Sequence, residues 1–394
     1  MRYIRLSSMA AAAAAILTSV SVAPAAAGDD ASTPVSCSTA ALTAAIVGAD
    51  PRETLSLARN CTYHLTTPFS TGEGLPPISQ ELTIRGNGAT IVRDGNATPA
   101  FRIFHVLNGG DLRLQDLTVR GGNATGLSPA TGNGGGILVD SGGTLKLSGV
   151  DVIDNTATLN GGGVAVATGG TAVIRRSWVA FNNALLNGGG LFSAGTLIVD
   201  GSEFGRNHTQ GVGGGIAVAG GTAIIHASII SRNTSVVGGG GVASVGGGTT
   251  ISESKIANNT TGATGGGVLN RAPLTLDKTE VSGNVAAAPG GDGGGIYNST
   301  ASAVLRLKGS KVIRNSANGQ NVPPPLTDLS QAGGIFNNGG SVTLDHSYVR
   351  NNASTAAPGG VRTDTVITVT DSTITHNIPT NCTGSPVAVP GCTD

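Results

Sequence analysis

Charge and aromatic side chains are scarce in this sequence: of 394 residues, 12% are charged and 3% aromatic, with a single tryptophan. A chain of that length normally divides into two or three compact domains, and such scarcity is unusual in compact globules. The 23 basic and 23 acidic residues cancel, so no net field draws the chain to nucleic acid or to an anionic membrane. Past the N-terminus no apolar run is long enough for a membrane helix, so no membrane span is expected in the mature chain. Neither a Cys-x-x-Cys pair nor a close pair of histidines occurs, which excludes the usual zinc arrangements. No metal and no cofactor is expected.

Glycine is what the chain has in abundance: 63 Gly and 17 Pro make up about a fifth of it. That share lies below the level of disordered low-complexity chains, so the glycines are placed at set positions. Residues 1–27 carry Arg2 and Arg5, an apolar run over 10–22, and Ala25-Ala26-Ala27, the three-part layout of a cleaved secretory signal peptide. An even number of cysteines in an exported chain points to disulfides. The four are Cys37, Cys61, Cys382 and Cys392, and three pairings are possible. The local pairs, Cys37 with Cys61 and Cys382 with Cys392, are the expected ones because each would staple one end of the chain.

A repeat dominates the rest. Aligned on Asn155, Asn182, Asn207, Asn233, Asn259, Asn284, Asn315, Asn352 and Asn377, the chain repeats at intervals of 27, 25, 26, 26, 25, 31, 37 and 25 residues. Three places before each Asn the residue is always apolar, as in Val179, Phe204 and Ile230. Eight places before, it is again always apolar, as in Ile174, Val199 and Ile225. Five places before stands Ser or Thr, except at Val150. After the Asn comes a glycine cluster and an aliphatic residue, as in Gly188-Gly189-Gly190-Leu191.

Apolar segments this short, β-branched and bounded by Gly and Asn, read as strands and not as amphipathic helices. Three per period of about 26 residues make one coil of a solenoid. The expected fold is therefore all-β, a right-handed parallel β-helix of about ten coils, since parallel crossovers are right-handed almost without exception. Residues 28–80 are expected to hold an N-terminal cap and the first rungs, 81–377 the helix proper and 378–394 a C-terminal cap. Ser38 suits the N-cap of a short helix through Ile46 that covers the open core. Glycine at a corner reaches positive φ freely, asparagine is the next best residue there, and stacked Asn amides can bond from coil to coil. The Asn column is read as structural.

The Gly-Gly-Gly-Ile steps, with Phe204-Gly205-Arg206-Asn207 the most literal case, resemble the repeats of polymorphic outer-membrane-like proteins. Cys37-Ser38, Leu42, Ala45-Ile46 and Thr54-Leu55-Ser56-Leu57 are similar to the lead-in of bacterial secreted β-helix proteins that begin Cys-Ser-Leu-Arg-Glu-Ala-Ile. The likeness spans residues 37–377 and implies a secreted or cell-surface, adhesin-like protein. The Arg-Glu of that lead-in is missing here, and no membrane barrel follows Asn377, which argues against an autotransporter.

Columns also show which outward side chains can meet. Seven places before the Asn stand Asp200, His226 and, two coils on, Asp277; a carboxylate one coil from an imidazole can orient it, so these are the candidate acid-base residues. One place before the Asn, Arg206 and Arg232 occupy adjacent coils and are candidate ligands for anionic sugars. Four places before it the column reads Asp151, Trp178, Glu203, Ile229, Lys255, Glu280, Lys311 and Tyr348: alternating charges that pair across strands, and two aromatics able to stack on sugar or to cover apolar surface. The Gly-His-Gly and Arg-x-Lys signatures of polygalacturonase-like β-helices are absent. Extra length gathers at one corner, in 122–133, 285–292 and 316–332, as on the binding face of many repeat proteins. The expected function is non-enzymatic: adhesin-like binding of a cell-envelope or extracellular polysaccharide or of a surface protein, or a structural role. The alternative is a lyase or hydrolase of acidic polysaccharide.

Overall fold

The computed structural model describes residues 32–126, 132–318 and 329–394. These form an all-β parallel solenoid of about 11 turns, with three strands per coil and one helix. One turn shows how the local sequence shapes the coil. Gly188-Gly189-Gly190 leads into the strand Leu191–Ser193, a turn into Thr196–Asp200, a bend into Glu203–Gly205, and the corner at Asn207 into the two-residue strand His208–Thr209. None of these pieces is long enough to stand alone. Each is held by its equivalents above and below: Thr196–Asp200 pairs in parallel with Thr171–Arg175 and with Thr222–His226, residue for residue. Among the described residues the strands flanking the bend join in one 22-stranded sheet, the Gly-led strands form a ten-stranded sheet, and the short corner strands a nine-stranded one.

Strand alternation turns both apolar columns inward, and Ile174, Val199, Ile225, Val179, Phe204 and Ile230 are all 0% exposed. Burial stabilises the fold by roughly 1.5–3 kcal/mol for each such side chain. Only near the C-terminal end does a column open, at the partly buried Val369. The Asn column forms a continuous amide ladder. Asn207 Nδ2 donates to Asn233 Oδ1 at 3.0 Å and to Val179 O at 2.9 Å, while its Oδ1 accepts from Asn182 N and Nδ2, both at 3.0 Å. All four bonding positions of the amide are thus filled. The ladder begins where Gly122 N donates to Asn155 Oδ1. It ends at a rung the spacing did not predict: Asn381 Oδ1 accepts from Asn377 N and Nδ2. The Ser column works similarly, with Ser228 Oγ accepting from Ser202 N at 3.1 Å. A further inward ladder, Asn270, Asn298, Asn337 and Thr363, lines the ten-stranded sheet and escaped the sequence analysis.

One conformational expectation needs correction. The ladder asparagines do not adopt positive φ; the residues just before them do, among them Phe181, Arg206 and Arg232 at 57°. A second left-handed position falls at the bend, at Arg176, Gly201 and Ala227. The amide instead needs an ordinary strand-like backbone so that its side chain can lie along the stack. The first glycine of each cluster is left-handed as expected, Gly188 with φ 64° and Gly213 with φ 71°.

The ends close as the cysteines suggested. Helix Thr39–Gly48 starts at Ser38, whose Oγ accepts from Ala41 N, and it buries Leu42 and Ile46 over the open core. Cys37 is bonded to Cys61, and Cys382 to Cys392. Parallel pairing already begins with Ser32–Val35 against Glu53–Leu57, and Thr62–Leu65 pairs with Glu81–Arg93. These early rungs lack the Asn signature, which is why the coils exceed the expected ten by about one. Outside the ten-stranded sheet, Val212 packs on Ala217, Ala243 and Leu269, so corner loops fold over that face and cover it.

Candidate functional site

The bend in the 22-stranded sheet carries an open groove of about 420 Å³, lined by Asp151, Arg176, Trp178, Gly201, Glu203 and Ile229 among others. Asp151, Trp178, Glu203 and Ile229 are register partners on four successive coils, so their side chains leave the sheet in one row about 4.8 Å apart. Their neighbours Val152, Val179, Phe204 and Ile230 point into the core. The left-handed residues at the bend tilt the two strands toward each other beneath this row.

Around the row an aromatic and cationic cluster is assembled. Phe181 meets Trp178 edge to face, with ring centroids 5.6 Å apart. The Arg206 guanidinium lies over the Phe181 ring at 5.4 Å, a favourable cation–π geometry. Arg176 is drawn to the side, its Nη2 donating to Ser148 Oγ at 3.2 Å. Burial raises the pKa of Asp151 above the ordinary carboxylate value, and no charge contributes to that rise. The groove therefore offers aromatic surface, two carboxylates and one lining guanidinium, a set suited to hydrogen bonding and stacking on a sugar.

Of the candidate acid-base residues, Asp200 and His226 adjoin the groove-lining Gly201 and Ala227, and Asp277 lies two coils further on. Asp200 and His226 are register partners, His226 is next to Ser252, and Ser252 next to Asp277. His226 Nδ1 lies 3.2 Å from Ser252 Oγ, so the imidazole turns away from Asp200. Among the described residues no ion pair joins Asp200, His226 and Asp277. Of the candidate arginines, Arg206 is tied to the Trp178 cluster, and Arg232 stands one coil further with its backbone N donating to Ala257 O. The charge alternation is realised: Lys255 Nζ is 2.9 Å from Glu280 Oε1, and this bond is the main reason the Glu280 pKa is lowered. Tyr348 is exposed but lies six coils from Trp178. The proposed signal segment 1–27, residues 127–131 of the 122–133 insertion and the Pro323-Pro324-Pro325 segment lie outside the described residues.

A second charged cluster was not foreseen. Near the N-terminal end Arg102, 2% exposed, donates from Nη1 to Glu73 Oε1 at 2.5 Å. His105 lies beside it, with Nδ1 3.1 Å from the same Glu73 oxygen and Nε2 2.9 Å from Asp140 Oδ2. Glu73 Oε2 is buried and makes no hydrogen bond. Burial by itself would lower the His105 pKa, and Arg102 opposes protonation too, but the hydrogen bond and charge of Glu73 with the charge of Asp140 prevail and leave it raised. One signal did exist in the sequence. His105 opens an outward column of the ten-stranded sheet whose next four members, Leu138, Ala165, Phe192 and Ala217, are all apolar.

Among the described residues no group of three or more His, Cys, Asp or Glu is placed to hold a metal ion, and no helix is long and apolar enough to cross a membrane. Comparison with protein-family models finds none that matches, and comparison with curated proteins finds no match. The likeness to polymorphic outer-membrane-like repeats accordingly rests on the residues quoted for it.

Proposed function

We propose that this protein is exported by way of residues 1–27 and acts outside the cell as a non-enzymatic, adhesin-like binder of polysaccharide. The observation that carries this reading is Trp178 set in an open groove, in register between Asp151 and Glu203 and backed by Phe181 and Arg206. Two disulfides fit an oxidising compartment. Two carboxylates against one lining guanidinium favour an uncharged polymer over a polyuronate, whose own carboxylates would meet like charge. The enzymatic alternative rests on Asp200, His226 and Asp277, and the turn of His226 toward Ser252 leaves it without a paired base.

The test is a panel of neutral and uronate polysaccharides, with and without calcium, scored for both binding and chain cleavage by the mature protein. Binding of a neutral polymer that Trp178→Ala abolishes, with no new chain ends, is the expected result. Unimpaired binding by Trp178→Ala would remove the groove from consideration. Cleavage lost in Asp200→Ala or Asp277→Ala would make the protein an enzyme.

A further inference from the structure

Both ring nitrogens of His105 face carboxylate oxygens, those of Glu73 at 3.1 Å and Asp140 at 2.9 Å. A neutral imidazole has one N–H and one bare lone pair, so one of these contacts would set a lone pair against a carboxylate. The imidazolium donates to both. Charge balance agrees: Glu73 and Asp140 carry two negative charges, Arg102 one positive, and a protonated His105 brings the cluster to neutrality. The groups facing His105 come from three places. Glu73 belongs to the loop 66–80, Arg102 precedes the strand Phe104–Val106 that holds His105, and Asp140 follows Ile137–Val139. Its register neighbour Leu138 is apolar.

We propose that His105 is a proton-operated latch, which as an imidazolium fastens the loop 66–80 to the end of the ten-stranded sheet and on losing its proton loosens that loop. The loop's other ties set the extent of the motion. Gly74 N donates to Arg102 O and Ile78 N to His105 O, both at 2.8 Å, and Leu75 is fully buried. The loop therefore loosens without detaching. It also walls a crevice of about 280 Å³ with the N-terminal helix, lined by Ile46, Val47, Phe69, Pro76, Pro77 and Ile78 among others. Loosening the latch opens this crevice, and protonation closes it.

The sign follows from linkage. With its folded pKa above the ordinary value of about 6.5, His105 contributes its full stabilisation below that pH and loses it as pH rises through the folded pKa. Hydrogen exchange of the whole mature protein, followed by mass spectrometry from about pH 5 to about pH 9, reads this directly. The Asn-ladder coils of the same molecule serve as reference for base-catalysed exchange. Peptides from 66–80 should lose protection by about tenfold relative to the reference across the His105 titration, which NMR of the imidazole follows independently. His105→Gln should show the loose state throughout, with no step. Asp140→Asn, at a half-exposed site, should fold normally and move the step to lower pH. A flat protection ratio while His105 titrates would overturn the latch, as would a step that persists in His105→Gln or an unmoved midpoint in Asp140→Asn.

Discussion

From Asn155 to Asn381 the buried ladder groups are neutral amides and hydroxyls, and each amide is bonded to the next one along the stack. Near the N-terminal end they are a carboxylate, a guanidinium and an imidazole, present once. The neutral ladder works by repetition, since every amide supplies what its neighbour lacks, and its bonds do not depend on protonation. The ionic cluster needs no repeat, but a buried charge left alone is far more costly than a lost amide bond, and one of its members is an imidazole whose pKa its carboxylate neighbours hold raised. The same solenoid thus joins a buried ladder whose bonds carry no titrating group to a buried cluster whose bonds do.

The sharpest way to break this contrast is Arg102→Met, which strips a nearly inaccessible carboxylate of its cation. It should destabilise the N-terminal coils by about 3–5 kcal/mol in denaturant unfolding, and adding Glu73→Gln should recover much of the loss. A single variant as stable as the parent would mean that Glu73 is not held as a carboxylate. Asn233→Ala comes next. It leaves Asn207 N, Asn207 Nδ2 and Phe204 O without their partner, for a cost of about 2–4 kcal/mol. That cost should be the same from about pH 5 to about pH 9, and a pH-dependent cost would erase the distinction between the two regions.

The two disulfides sharpen the comparison of the ends. Cys37–Cys61 spans 24 residues and Cys382–Cys392 spans 10, so chain entropy assigns about 3.5 kcal/mol to the first and about 2.7 kcal/mol to the second. Replacing each pair by serine and comparing midpoints reads the difference. Trp178→Ala should do least to stability, less than about 0.5 kcal/mol, because the ring is partly exposed. Calorimetry with the bound glycan should nevertheless show an affinity loss of about tenfold or more. A large stability loss with intact binding would make Trp178 part of the packing.

What the sequence revealed and what it hid follow the same divide. Apolar columns and the Asn ladder from Asn155 to Asn377 were legible because repetition writes them at set places in each coil, and the disulfide pairs because two cysteines stand near each end of the chain. Asn381 was hidden because it stands four residues after Asn377, where the cap doubles back, and not one coil away. Glu73, Arg102, His105 and Asp140 come from loop, strand and turn with no shared interval, so nothing in the spacing joins them. The groove was half visible: Asp151, Trp178 and Glu203 were readable as a column, but the left-handed bend that makes their surface concave is a backbone property of Arg176, Gly201 and Ala227, residues with nothing in common in their side chains.

The in-register stacking of Thr196–Asp200 between its neighbours has an evolutionary consequence. Each coil meets the next through the same contacts, so duplicating or deleting a whole coil changes the reach of the molecule by about 4.8 Å and creates no new interface. Intervals of 25, 26 or 27 residues differ mainly at the turn after the Gly-led strand, as between Val164–Val166 and Thr171–Arg175 against Leu191–Ser193 and Thr196–Asp200, which leaves the ladders aligned. Length is therefore the dimension in which this fold can change most freely, with both stapled ends left as they are.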